Sequence, residues 1–111
     1  MTVDAQTKTE LNASVPAPTV SQGWAVVTGA SGSIGAALTE GLARRGYPVV
    51  MACRNLKKAE PIRQQIMERS GNDRIVVREL NLVSMASIGA FISHLRQEAM
   101  PVSRLLNNAG V

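Results

Sequence analysis

The chain has 111 residues, the length of one small domain, and its 45% apolar and 18% charged residues describe a globular chain rather than a disordered one. Three aromatics (Trp24, Tyr47 and Phe91) are too few for the stacked platform of a single-strand nucleic-acid binder, and a net charge of +4 does not imply DNA binding. The single cysteine, Cys53, excludes an internal disulfide and a cysteine-rich zinc site.

Residues 1–22 read as a flexible N-terminal tail, rich in Thr, Ser, Ala and Pro, with Pro16 and Pro18 enforcing extended backbone. Folded chain is expected from Gly23. Trp24 to Thr28 is a short apolar run with strand composition that ends in a glycine turn. A helix is predicted from about Ser33 to Arg45, with Ile34, Leu38 and Leu42 four apart on its apolar face and Gly46 as its stop. Val49 to Cys53 is a second continuous apolar run, the pattern of a strand covered on both faces. The next helix buries Ile62 and Ile66 and ends before Gly71. Two starts are open for it: a cap at Asn55 that leaves Pro61 inside, or a start near Glu60 with Pro61 in the first turn.

Ile75 to Leu80 forms the third strand. Ser84 caps a third helix whose stripe is Met85, Ile88, Phe91, Ile92 and Leu95, read as core. Met100 and Pro101 end it, and Leu105 to Asn107 begins a fourth strand. The order β-α-β-α-β-α-β with short connections predicts the α/β class, a Rossmann-type parallel sheet with strand order 3-2-1-4. Residues 23–111 are then expected to form one Rossmann-type unit.

Thr28-Gly29-Ala30-Ser31-Gly32-Ser33-Ile34-Gly35 joins the first strand to the first helix. Glycines allow a tight turn and let the backbone approach a pyrophosphate, while the helix start offers free N–H groups and partial positive charge. The competing reading is a turn that only connects two elements; the strand before it and the helix after it favour phosphate binding. No Gly-Lys-Ser/Thr follows, which excludes a loop built for a γ-phosphate.

In such a fold the residue ending the second strand meets the adenosine ribose, and an acid there selects NAD. Met51-Ala52-Cys53-Arg54-Asn55 has no acid. The guanidinium of Arg54 suits a 2′-phosphate, so NADP is expected over NAD, with Lys57 and Lys58 adding field. The plainer reading of Arg54 is a solvated arginine at a helix start. Cys53 reads as a small buried filler and His94 as a surface helix residue, and no metal site is found. No apolar stretch is long enough for a membrane span, and Asp4 and Glu10 do not fit a signal peptide. A cytoplasmic protein with no nucleic-acid partner and no membrane span is expected.

These residues resemble the short-chain dehydrogenase/reductase family. Three features carry the resemblance: the glycine segment; Ala52-Cys53-Arg54, similar to NADP-preferring, retinol-dehydrogenase-like members; and Asn107-Asn108-Ala109-Gly110 after the fourth strand. The resemblance implies hydride transfer between NADP(H) and a small carbonyl or alcohol substrate. It implies that Gly29, Ser31, Gly32, Ser33, Ile34 and Gly35 line the pyrophosphate and nearby ribose, and that Arg54 holds the 2′-phosphate. Asn81 and Leu82 would meet the adenine, and Asn108, Ala109 and Gly110 would support the fourth strand and pass the adenosine side. The amides of Asn107 and Asn108 would tie neighbouring strands together.

Four departures stand out. Ser33 replaces a glycine of the classical pattern, and Gly32 stands one place earlier, a spacing similar to extended and atypical members. Gly32 also occupies the place where some NADP-preferring members carry a second basic residue. Asn81 stands where the family often has an aspartate for the adenine amino group. The family's catalytic Ser and Tyr-x-x-x-Lys follow the Asn-Asn-Ala-Gly motif and would lie past Val111. Tyr47 is the only tyrosine and Met51, four places on, is not lysine, so no catalytic residue is assigned.

The favoured expectation is the front part of an oxidoreductase, inactive alone, with a homo-oligomer only if a C-terminal half is present. A non-catalytic NADP-binding module and a truncated, inactive fragment are the alternatives. A methyltransferase on a related fold would want an acid where Cys53-Arg54 stands.

Overall fold

The structure, a computed structural model, describes residues 23–108; the expected tail and the expected site residues Ala109 and Gly110 lie outside the described residues. Its elements run β1 (Trp24–Thr28), α1 (Ser33–Arg44), β2 (Val49–Cys53), α2 (Leu56–Ser70), β3 (Ile75–Glu79), α3 (Met85–Gln97) and β4 (Val102–Leu106). All neighbouring strands pair in parallel, in the order β3-β2-β1-β4. The expected sheet is therefore the observed one.

β1 and β2 are buried at every position, which is why both read as unbroken apolar runs. On one face Trp24, Val26 and Val50 meet Phe91 and Leu95 of α3. On the other, Val27, Met51 and Ile75 meet Ala43 of α1 and Ile66 of α2. Met51, Ile66 and Ile75 are among the largest fully buried side chains, each contributing about 1.5–3 kcal/mol of hydrophobic stabilisation. Because the chain adds β2 and β3 on one side of β1 and β4 on the other, the order of strand addition reverses between β1 and β4 while all strands stay parallel. Ligands of such sheets bind outside the strand ends at that reversal.

Of the expected apolar stripe of α1 only Leu42 packs against the core. Gly35, Thr39 and Ala43 face the sheet, while Ile34 is 67% exposed and Leu38 37%. Proximity decides this: an added Cβ at Gly35 would run into the Gly29 carbonyl oxygen, so only the small stripe fits so close an approach. The buried Thr39 hydroxyl donates to the Gly35 carbonyl at 2.8 Å, so it leaves no unpaired polar group.

The two starts open for α2 resolve in favour of Asn55, whose side chain accepts from the Lys58 N–H at 3.1 Å. Pro61 lies inside the helix, with Ala59 and Ile66 buried around it. Of the α3 stripe, Phe91 and Leu95 are buried, but Met85 is 82% exposed and Ile92 46%. β4 begins at Val102 rather than Leu105, with a register shift opposite Trp24 and Ala25. Ser103 and Arg104 hid this start, because an exposed edge strand has no need of an apolar run.

α1 and α3 end alike. Tyr47 N–H donates to Leu42 and Gly46 N–H to Ala43, with Gly46 at φ 88°; Met100 N–H donates to Leu95 and Ala99 N–H to Arg96, with Ala99 at φ 54°. Both are Schellman stops, the second made by alanine where glycine is favoured. Asn72 ties these layers together, donating to the Ala43 and Tyr47 carbonyls (3.1 and 2.8 Å) and accepting from Arg74 N–H (2.8 Å).

Candidate functional site

Outside the C-terminal ends of β1, β2 and β3 lies a cleft of about 670 Å³, within the range of small-molecule sites. Its first wall is the glycine turn. Gly29, at φ 63°, turns the chain out of β1, and Gly32 N–H donates back to the Gly29 carbonyl at 3.2 Å. Gly32 then caps α1 without any side-chain hydrogen bond, and the first turn of α1 holds no acid. The helix thus presents its N–H groups and positive end uncovered, which suits an anion.

The second wall follows β2. Ala52 and Cys53 form its buried floor, and Arg54, Asn55 and Lys58 its rim. Arg54 and Lys58 are exposed and make no ion pair among the described residues. No Asp or Glu lines the cleft. Burial pushes the Cys53 thiol up from its usual range, and its Sγ–H points at the Asn55 carbonyl (3.9 Å). That makes it a packing residue rather than a nucleophile.

The third wall is Leu80 to Val83, after β3. Asn81 accepts from Val83 N–H at its Oδ1 (3.2 Å), and its own N–H donates to Ser87 Oγ (2.8 Å). Leu80 N–H continues the sheet ladder onto the Cys53 carbonyl at 2.9 Å, which locks this wall to the second.

Of the expected site residues, Gly29, Ser31, Gly32, Arg54, Asn81 and Leu82 come together on this cleft. Ser33 and Ile34 are exposed in the first turn of α1, off the cleft wall. Gly35 lies beneath the turn as its packing support. Asn108 works from behind: its Nδ2 donates to the Gly29 carbonyl (3.3 Å) and its N–H to Thr28 Oγ1 (2.9 Å). Thr28 Oγ1 also faces Asn107 Oδ1 at 3.2 Å, so the expected amide ties between strands are present. Thr28 itself was not singled out from the sequence, although a hydroxyl at a buried strand end next to the reversal point marks it.

These features fit a molecule with two anionic ends. The glycine turn and α1 offer backbone N–H groups to one phosphate, and Arg54 and Lys58 offer cations to another. Apolar surface from Leu80, Leu82 and Ala52 lies beyond them. Tyr47 is remote from the cleft: its hydroxyl accepts from Arg104 (2.9 Å), whose guanidinium lies over the ring at 4.9 Å. Among the described residues no helix is long and apolar enough to cross a membrane.

A family model for short chain dehydrogenases matches residues 23–111. Human retinol dehydrogenase 11 is 41% identical over 86 residues, which cover 78% of this chain and 27% of that protein. Human retinol dehydrogenase 13 is 37% identical over 99 residues, 89% of this chain and 28% of its own length. The chain thus spans little more than a quarter of these relatives. Among solved structures, menthone neomenthol reductase from Mentha piperita superposes with a TM-score of 0.74 at 31% identity, over 79% of this chain and 31% of that one. L-sorbose reductase from Gluconobacter frateurii, solved with NADPH and L-sorbose, gives 0.72 at 27% identity, over 80% of this chain and 34% of its own.

Proposed function

This chain belongs to the short-chain dehydrogenase family, and from that premise we propose that it is the cofactor-binding part of an oxidoreductase that moves hydride between NADP(H) and a carbonyl or alcohol substrate. One observation carries the choice of NADP. The cleft rim after β2 holds two cations without carboxylate partners, Arg54 and Lys58, and the cleft wall holds no acid that a 2′-phosphate would have to approach. The NADPH in the structure of L-sorbose reductase is consistent with that reading.

Gly29, Ser31 and Gly32 take the pyrophosphate against the start of α1, and Arg54 with Lys58 takes the 2′-phosphate. Asn108 holds the Gly29 carbonyl so that the turn keeps its shape without cofactor. Leu80 to Val83 receives the base. A nicotinamide held at this site would give or take the hydride. None of the described residues takes the proton-transfer role, because Tyr47 is held by Arg104 away from the cleft. On that observation rests the second reading, in which these 111 residues bind NADPH without turning substrate over. A cytoplasmic location belongs to the same proposal, resting on Cys53 as a lone thiol.

The test is a titration of the native chain and Arg54→Ala with NADPH and NADH. NADPH should bind more tightly, and Arg54→Ala should lose about tenfold in NADPH affinity, the worth of one exposed charge-assisted contact, with NADH little changed. An unchanged NADPH/NADH ratio removes Arg54 as the determinant. No binding at millimolar NADPH removes the proposal.

A further inference from the structure

We propose that the mouth of the cleft is a docking surface for an anionic lipid bilayer, with Leu56, Val83 and Met85 entering the headgroup layer and Arg54, Lys57 and Lys58 meeting its negative charge. The inference does not rest on the cofactor reading, although the two share Arg54 and Lys58. Val83 and Met85, at 88% and 82%, are the two most exposed large apolar side chains among the described residues, and they stand on either side of Ser84. Leu56 is exposed on the other bank of the cleft, next to the exposed Lys57 and Lys58. Single apolar residues scattered over a surface are ordinary; a group of them around one opening marks an interaction site.

The fold gathers this group on one side. The strands are parallel throughout, so α2 and α3 both start at the C-terminal ends of strands, α2 after β2 and α3 after β3. Their first turns therefore flank the cleft, which has Arg54, Asn55 and Lys58 on one bank and Leu80 to Val83 on the other. The bank that carries Val83 and Met85 is tied down. Val83 N–H donates to Asn81 Oδ1 at 3.2 Å, Ser84 N–H to the Asn81 carbonyl at 3.1 Å, and Ser87 N–H to Ser84 Oγ at 3.1 Å. These bonds fix the backbone that holds both side chains outward, so little backbone ordering remains for docking to impose.

Charge selects a negative partner over a neutral one. Arg54, Lys57 and Lys58 are exposed and make no ion pair among the described residues. Of the carboxylates nearest to them in the fold, Glu60 is paired with Arg63 at 2.7 Å, and Glu79 ends β3 opposite Cys53, outside the cleft wall. Positive charge is therefore left over beside the apolar side chains. Apolar area that enters the interface and basic residues that gain from the surface potential together hold peripheral proteins on anionic bilayers. A folded protein partner would need one continuous apolar face. Here the cleft separates two apolar banks, which suits a fluid surface that each bank enters by itself.

The experiment sediments the 111-residue chain with vesicles of phosphatidylcholine, alone or with about one-third phosphatidylserine. Binding to the anionic vesicles should be about tenfold stronger, since Glu79 offsets part of the charge of the three cations. The double variant Leu56→Ser, Met85→Ser should lose about tenfold in anionic binding and Lys57→Gln about fivefold. These residues are exposed and lie off the cleft wall, and a far-UV melting curve checks that each variant folds. Leu105→Ser, at an exposed apolar residue of β4 on the sheet edge opposite β3, should change nothing. Equal binding to both vesicles, no binding to the anionic ones, or full binding by the folded double variant overturns the inference. So does light scattering that shows a lipid-free dimer which the double variant separates, because the patch is then an interface between copies. The vesicles are offered without cofactor, so each of these results leaves the NADP reading to its own titration.

Discussion

Two glycines of the same helix should respond in opposite directions to the same substitution. At Gly35 an added Cβ would collide with the Gly29 carbonyl oxygen and lie 2.8 Å from Ala30 Cα and 2.9 Å from the Gly29 carbonyl carbon. All three are backbone atoms of the turn, which Asn108 already holds, so no rotamer change relieves them. Overpacking of this kind costs about 1–3 kcal/mol, and the upper end applies where only backbone can yield. Helix propensity returns about 1 kcal/mol of it, leaving a net loss of about 2 kcal/mol for Gly35→Ala. At Gly41 an added Cβ meets nothing within 4 Å, so only the propensity gain of about 1 kcal/mol remains. For a domain of this size about 1 kcal/mol moves the melting temperature by about 4–8 °C. Thermal unfolding followed by far-UV circular dichroism should therefore place Gly35→Ala about 8–16 °C below the native chain and Gly41→Ala about 4–8 °C above it. A Gly35→Ala chain melting within about 4 °C of native would refute the close approach of α1 to the turn.

Ala99→Gly should raise stability by about 1 kcal/mol in urea unfolding, because Ala99 holds φ 54° at the stop of α3 where glycine carries no Cβ penalty. A loss of stability would mean that the alanine methyl packs more than its backbone costs. Asn72→Ala removes two donated hydrogen bonds and one accepted one from a site 8% exposed, and should cost about 2–4 kcal/mol by the same measurement. Glu40 is held below its ordinary 4.5 chiefly by the Arg44 side chain, with Arg69 adding to it against a partial desolvation. A lowered folded value means stability that is complete above about pH 4.5 and is lost as the pH falls through the folded value. Urea midpoints from pH 7 to pH 3 should fall less steeply in Glu40→Gln than in the native chain, and parallel profiles would show that the pair contributes nothing.

What could be read from the sequence divides by mechanism. β1 and β2 were legible to the residue because a strand buried on both faces must be apolar throughout, and few other elements produce so short an unbroken run. The strand order and the cleft followed, since alternation and the glycine turn constrain both. The face of α1 was not legible from hydrophobicity: the contact distance to the turn selects Gly35, Thr39 and Ala43 over the more apolar Ile34 and Leu38. Distance is a tertiary quantity that no local period encodes. Pro61 left the start of α2 open in a related way, since the Asn55 cap and the burial of Ala59 and Ile66 override one missing hydrogen bond. Gly46 advertised the end of α1, but Ala99 gave no such signal at the end of α3 although it adopts the same conformation.

The placement of cations around the cleft is best understood against the dipoles of the helices. Arg44, Arg69 and Arg96 stand in the last turns of their helices, where the partial negative charge favours them. Lys57 and Lys58 stand in the first turn of α2, where each is disfavoured by about 0.3–1 kcal/mol, and Arg54 adds a third positive charge just before the cap. The nearest carboxylate in that helix does not compensate them, because Glu60 pairs forward with Arg63 at 2.7 Å. Three exposed cations gathered at the end of a helix that repels them are what the proposed 2′-phosphate site would need. On the proposed reading, a phosphate dianion seated at that end would add attractions to all three cations and to the helix dipole that outweigh their mutual repulsion. If that reading holds, added salt should weaken NADPH binding by screening these charges, and an affinity unchanged by salt would count against it.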